Sequence, residues 1–119
     1  MEITILLEFC ERHQLRSWLQ DNHSSAKECW VVTSRAKTPP VGILPYLEVV
    51  EEALCFGWID STLKRLPDGR LAQRLSPRRK KSHWTELNKR RYLELESQGL
   101  MTQAGRDAYD KILSLQTEN

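Results

Sequence analysis

The residues of this chain able to do chemistry fall in two blocks. Trp58 and Asp60 follow the string Ala53-Leu54-Cys55-Phe56-Gly57, and Arg78, Ser82, Trp84, Asn88 and Arg91 follow Leu75-Ser76-Pro77. One carboxylate, two guanidiniums, a hydroxyl and an amide between two indoles suit an anion better than they suit a bond-breaking reaction. Arginine presents a planar fork of donors that matches carboxylate and phosphate. A helix beginning at Ser82 would add free N–H groups and a favourable dipole, with Arg78 and Lys81 adjacent. The expected ligand is therefore a phosphate or carboxylate, walled by the two tryptophans. The same residues also permit a structural reading, in which Asp60 pairs with Arg78 or Arg91, the indoles are core and Ser82 is only a cap.

Other chemistries have less behind them. Cys55 could be assisted by His83 and Asp60, but between Leu54 and Phe56 on an apolar helix a thiol serves as packing. Cys10, His13, His23 and Cys29 contain one Cys-x-x-His pair at a spacing that matches no zinc pattern. No catalytic motif, metal site or cofactor is expected. The charges are segregated: residues 1–60 carry five Lys/Arg against nine Asp/Glu, residues 61–91 eleven against two, and residues 92–119 two against five. Internal pairing is the first expectation for such a chain.

The basic segment 64–91 also supports a rival reading as a nucleic-acid-binding module. Arg70, Arg74, Arg78, Arg79, Lys80, Lys81, Lys89, Arg90 and Arg91 could neutralise phosphates, and the interleaved Trp84 and Tyr92 could stack bases. Alternation along strands and around helices lets only about half of these charges face one ligand. A solvated face balanced by Glu48, Glu51 and Glu52 is favoured over specific binding. A protein partner, or a small hydrolase or transferase, completes the alternatives.

Eight elements must position these residues. Ile3–Phe9 is aliphatic and free of Gly and Pro, predicting a strand. Glu11–Gln20 places Leu15, Trp18 and Leu19 on one helical face. Cys29–Ser34 is β-branched and aromatic, a second strand, and Pro39-Pro40 lies in a loop. From Pro45 to Gly57 the apolar residues Tyr46, Val49, Val50, Ala53 and Leu54 recur at helical spacing, with Glu48, Glu51 and Glu52 facing away. Gly57 ends that helix and delivers Trp58 and Asp60 to one face of a strand. Pro67-Asp68-Gly69 joins the strands 58–66 and 70–75 in a hairpin. Ser82 caps a helix to Ser97, and Thr102 caps a last helix with Ala104, Ala108, Ile112 and Leu115 on its inner side.

The order β-α-β-α-β-β-α-α predicts an α+β domain with a small antiparallel or mixed sheet and helices packed on it. A chain of 119 residues makes a single domain, 1–119, and 39% hydrophobic residues suffice for a packed interior. No apolar run approaches the roughly 20 residues of a membrane helix. Met1–Phe9 is too short and too acidic for a signal peptide, and three cysteines make no disulfide framework. A cytoplasmic protein without membrane insertion is expected.

Taken together, several strings resemble the bacterial YdeI/OmpD-associated family, also labelled bacteriocin-protection proteins. They are Arg16-Ser17-Trp18-Leu19, Cys29-Trp30-Val31, Glu52 through Asp60, Ser76-Pro77-Arg78, the Ser82, Trp84, Thr85, Asn88 and Arg91 pattern, Gly99-Leu100-Met101, and Ala104-Gly105. The resemblance runs from about residue 7 to about residue 112. The chain departs from the family pattern at Thr33-Ser34-Arg35 and at Gln103. The resemblance implies a binding or stress-response role linked to tolerance of envelope stress or antimicrobial peptides, and no established catalytic chemistry.

Overall fold

The computed structural model describes residues 2–79 and 84–117, with side chains up to Leu113. Within it the elements are β1 (Leu6–Leu7), α1 (Arg12–Asn22), β2 (Cys29–Ser34), β3 (Leu44–Pro45), α2 (Tyr46–Cys55), β4 (Trp58–Arg65), β5 (Leu71–Pro77), α3 (Glu86–Ser97) and α4 (Gln103–Thr117). The fold is α+β, with four helices and a mixed five-stranded sheet. β2 is the centre of that sheet. Along one edge β5 runs antiparallel to it, from Cys29 opposite Leu75 to Thr33 opposite Leu71. On the other edge β1 and β3 both pair with it in parallel, Leu6 with Trp30 and Thr33 with Leu44. The hairpin partner β4 closes the order β1-β2-β5-β4.

The run Cys29-Trp30-Val31-Val32-Thr33 does not alternate because β2 is buried on both faces, the pattern expected of a central strand. Cys29 and Val31 join Leu75 and Trp58 under the helices, in a core completed by Leu15, Leu19, Val49, Ala53, Leu54 and Leu95. Trp30 and Val32 point the other way and meet Ala72, Leu66, Ile3 and Ile43 in a smaller cluster. The apolar residues of α1 and α2 thus explain one side of the sheet only.

Four expectations need correction. The N-terminal strand shrinks to Leu6–Leu7, since the ladder pairing with β2 is confined to those two residues. An additional short strand, β3, appears at Leu44–Pro45, in the stretch expected to open a helix. It is held by ladder pairing and by the Thr33 hydroxyl, which donates to the Leu44 carbonyl at 2.8 Å. Pro45 is accordingly the N-cap of α2. The helix predicted from Ser82 begins at Glu86, with Thr85 as cap: its Oγ1 accepts from the Asn88 N–H at 3.1 Å. Finally, Glu52 does not face away but is 1% exposed, held by Arg12 at 2.7 Å and Arg16 at 3.0 Å. Leu115, predicted for the α4 stripe, lies outside the described side chains.

The start of α4 is pressed onto the end of α2. Thr102 donates its hydroxyl to the Cys55 carbonyl, and Gly105 sits so close that a Cβ there would lie 2.5 Å from the same oxygen and against the Met101 sulfur. A flexible side chain could yield, but the carbonyl is fixed by the helix. Gly105→Ala is therefore expected to cost about 1–3 kcal/mol by overpacking, read as a lowered midpoint in urea unfolding followed by circular dichroism. Among the described residues no helix is long and apolar enough to cross a membrane.

Candidate functional site

β4 sets the first group of side chains. Trp58 and Asp60 share a face, as residues two apart must, but they meet different surroundings. Trp58 is 1% exposed. Its indole N–H donates to the His23 carbonyl at 3.3 Å, and its ring meets Trp18 edge-on at 6.1 Å. It belongs to the core and not to a pocket wall. Asp60 lies further along, half-buried, where its Oδ2 accepts the Tyr46 hydroxyl at 2.7 Å. The ladder breaks just beyond it: Asp60 faces Leu75, yet Leu63 faces Gln73. The extra residue on β4 makes a bulge, a device that re-aims neighbouring side chains. The buried Gln73 amide secures it by donating to the carbonyls of Thr62 and Arg74.

Arg78 follows β5 and is anchored by its backbone N–H, which donates to the Gly57 carbonyl at 3.0 Å. Gly57 holds a φ of +74°, and a Cβ on it would lie 2.9 Å from the Ala104 carbonyl, so the junction of α2, β4 and α4 depends on glycine there. The Arg78 guanidinium lies over the Trp84 ring, 4.1 Å from its centre. Nε and Nη1 are shut off from solvent and have no acceptor among the described residues. Burial pulls the pKa of this arginine down to about 10, against the opposing pull of Asp60's charge. A cavity of about 250 Å³ opens beside Arg78, lined also by Gly57, Arg79, Ala104, Asp107 and Lys111.

Trp84 is 3% exposed and meets Tyr92 and Tyr109 edge-on, while those two rings stack at 4.1 Å. Its back is packed against α3 and α4, and Arg78 takes its remaining face.

Two further arginines converge on Tyr46. The Arg35 guanidinium lies over its ring at 4.4 Å, and Arg91 of α3 is near enough for its charge to act on the phenol. Burial, then the bond to Asp60, raise the Tyr46 pKa despite these two cations. Asn88 orients Arg91, its Oδ1 accepting from Nη1 at 3.3 Å. Tyr46 and Arg35 also line a cavity of about 440 Å³ with Ser34, Lys37, Pro39 and Pro45.

Of the residues singled out from the sequence, Asp60, Arg78, Trp84, Asn88 and Arg91 are thus linked through contacts or charge, Trp58 stands apart in the core, and Ser82 lies outside the described residues with Lys80, Lys81 and His83. Sequence reasoning missed Tyr46 and Arg35. Tyr46 sits on the apolar stripe of α2 and reads as core, and a lone loop arginine carries no periodic signal.

The rest of the basic segment is partly engaged by acids. Arg70 bonds Glu8 at 2.6 Å and Asp68 at 2.8 Å, Arg74 bonds Glu28 at 2.9 Å, and Lys89 lies 3.4 Å from Glu86. Cys29 and Cys55 are buried, and desolvation pushes their thiols up to about 12 and about 11, far from the reactive thiolate. Among the described residues no group of His, Cys, Asp and Glu could hold a metal ion.

The architecture defines a small α+β domain with one arginine, Arg35, over the ring of a Tyr46–Asp60 pair and another, Arg78, over Trp84. Residues 7–108 match a family described as a domain of unknown function, DUF8412, and the chain belongs to that family. No curated protein and no solved structure matches the chain.

Proposed function

We propose that the domain is a binding protein for a small oxyanion, with Arg78 as the central cation. One observation carries this reading: Nε and Nη1 of the Arg78 guanidinium are shut off from solvent with no acceptor among the described residues. A buried charge is strongly disfavoured unless it is paired, and no carboxylate among the described residues forms an ion pair with it. An incoming phosphate or carboxylate would supply the missing acceptors in charge-assisted bonds. The resemblance to YdeI/OmpD-associated proteins sets such binding in a cytoplasmic response to envelope stress or antimicrobial peptides.

The test is a thermal-shift titration with inorganic phosphate, sulfate and acetate. A ligand that binds only the folded state stabilises it by mass action, by about 2.7 kcal/mol at a hundred times Kd. A concentration-dependent rise with phosphate or another of these anions is expected in the wild type and none in Arg78→Ala. No rise with any anion up to tens of millimolar, confirmed by calorimetry, removes the reading and turns the search to a protein partner.

A further inference from the structure

The cavity beside Arg78 is lined by three cations, Arg78, Arg79 and Lys111, and by a single carboxylate, Asp107. Nε and Nη1 of Arg78 are shut off from solvent without an acceptor, and neither the Arg79 nor the Lys111 side chain makes an ion pair or hydrogen bond among the described residues. Asp107 and Lys111 stand four positions apart on α4, a spacing at which opposite charges commonly pair. Here they do not, and Asp107 Oδ1 accepts the Gln103 amide at 2.8 Å instead. Three cations against one carboxylate leave a surplus of two. A phosphate group carries about −1.5 to −2 at neutral pH and matches that surplus, whereas a monocarboxylate leaves about half of it in place.

The size of the cavity narrows the ligand. It measures about 250 Å³, below the ~300–1,000 Å³ of sites for drug-sized molecules, and holds roughly eight waters at ~30 Å³ each. Gly57 and Ala104 meet at its wall so closely that a Cβ on the glycine would lie 2.9 Å from the Ala104 carbonyl, so the cavity does not deepen between them. A free oxyanion fits this space and a nucleotide does not.

Asp107 then separates one oxyanion from another. An ionised carboxylate is an acceptor only: it repels a ligand oxygen without a proton and bonds one that carries a proton. Above its second ionisation inorganic phosphate still holds one P–OH, while sulfate and the dianion of a phosphomonoester hold none.

We infer that the cavity takes inorganic hydrogenphosphate, held by Arg78, Arg79 and Lys111, and that Asp107 accepts its remaining proton in a hydrogen bond and so selects it over sulfate and phosphomonoesters. This rests on the oxyanion reading above and deepens it. Calorimetry on the full chain at about pH 8 would compare phosphate, sulfate and ethyl phosphate. Phosphate is expected to bind at least about tenfold more tightly than either, the scale of one hydrogen bond to a charged group. Asp107 is exposed, so Asp107→Asn should fold, and because its amide can donate, the preference over sulfate should vanish. The double variant Arg79→Gln, Lys111→Gln should weaken phosphate about tenfold, as the loss of two exposed charge contacts implies.

Equal affinity for phosphate and sulfate, ethyl phosphate binding as tightly as phosphate, a preference that survives in Asp107→Asn, or unchanged phosphate binding in the double variant each overturns the inference and leaves the oxyanion reading standing. Failure of all three anions to bind removes the oxyanion reading itself.

Discussion

Replacing Arg78 with methionine is expected to stabilise the ligand-free domain by about 1–2 kcal/mol while abolishing anion binding. Methionine fills much of the volume of the arginine stem and carries no charge. The guanidinium's pKa falls through burial from its ordinary value to about 10, and at about 1.4 kcal/mol per unit the charged form costs the fold about 3 kcal/mol. Loss of the contact with Trp84 offsets about 1–2 kcal/mol of that gain. The sign follows from linkage. A base whose folded pKa lies below its unfolded pKa opposes folding at every pH under about 10, and the penalty fades as pH rises from about 10 towards the ordinary arginine value. At pH 7 the full penalty applies, so chemical unfolding there should show the variant with the higher midpoint. A residue that lowers stability yet is the natural occupant of its position fits a functional role. A destabilised Arg78→Met protein would instead make the arginine a structural element whose partner is formed elsewhere.

Glu52→Ala is expected to destabilise the domain by about 3 kcal/mol, the lower end of the range for breaking a buried ion pair. The carboxylate is 1% exposed and takes Arg12 Nε at 2.7 Å and Arg16 Nη1 at 3.0 Å. Arg12 also reaches Glu51 at 2.9 Å, and Arg16 donates to the Leu100 carbonyl at 2.6 Å and lies over the Phe56 ring. One side chain therefore ties α1 to α2 and, through Arg16, to the link between α3 and α4. Both arginine side chains remain 29% exposed and can recover some hydration, which keeps the cost from the upper end of the range. Urea unfolding of Glu52→Ala and Arg16→Ala, with the double variant, would measure the coupling. The double variant should cost less than the two single losses combined, because the Glu52–Arg16 bond is lost in each single variant but only once in the double.

Much of this architecture was legible because local rules and global packing agree. The period of Val49, Val50, Ala53 and Leu54, ended by Gly57, marks α2 whatever surrounds it, and Pro67-Asp68-Gly69 sets the β4–β5 hairpin by turn chemistry alone. Where the two levels part, the sequence misleads. Leu44–Pro45 is a strand only because the edge of β2 beyond β1 is open to it, and no pattern within two residues announces that. Glu52 has the composition of a surface residue and becomes interior because α1 supplies two arginines from 36 and 40 positions away.

The candidate site divides along the same line. Composition and spacing determined that arginines, an aspartate and indoles lie in two blocks brought near each other by a helix stop and a hairpin. Which of them meet one another was decided by tertiary structure. Burial separated Trp58 from Asp60 although they share a strand face, and long-range packing brought in Tyr46 and Arg35, which are 14 and 25 residues from Asp60 in the chain. A sequence lists the charges available, but the dielectric around each, and hence whether Arg78 is a solvated surface group or a cation with Nε and Nη1 shut from water and no acceptor among the described residues, exists only once the chain has closed around it.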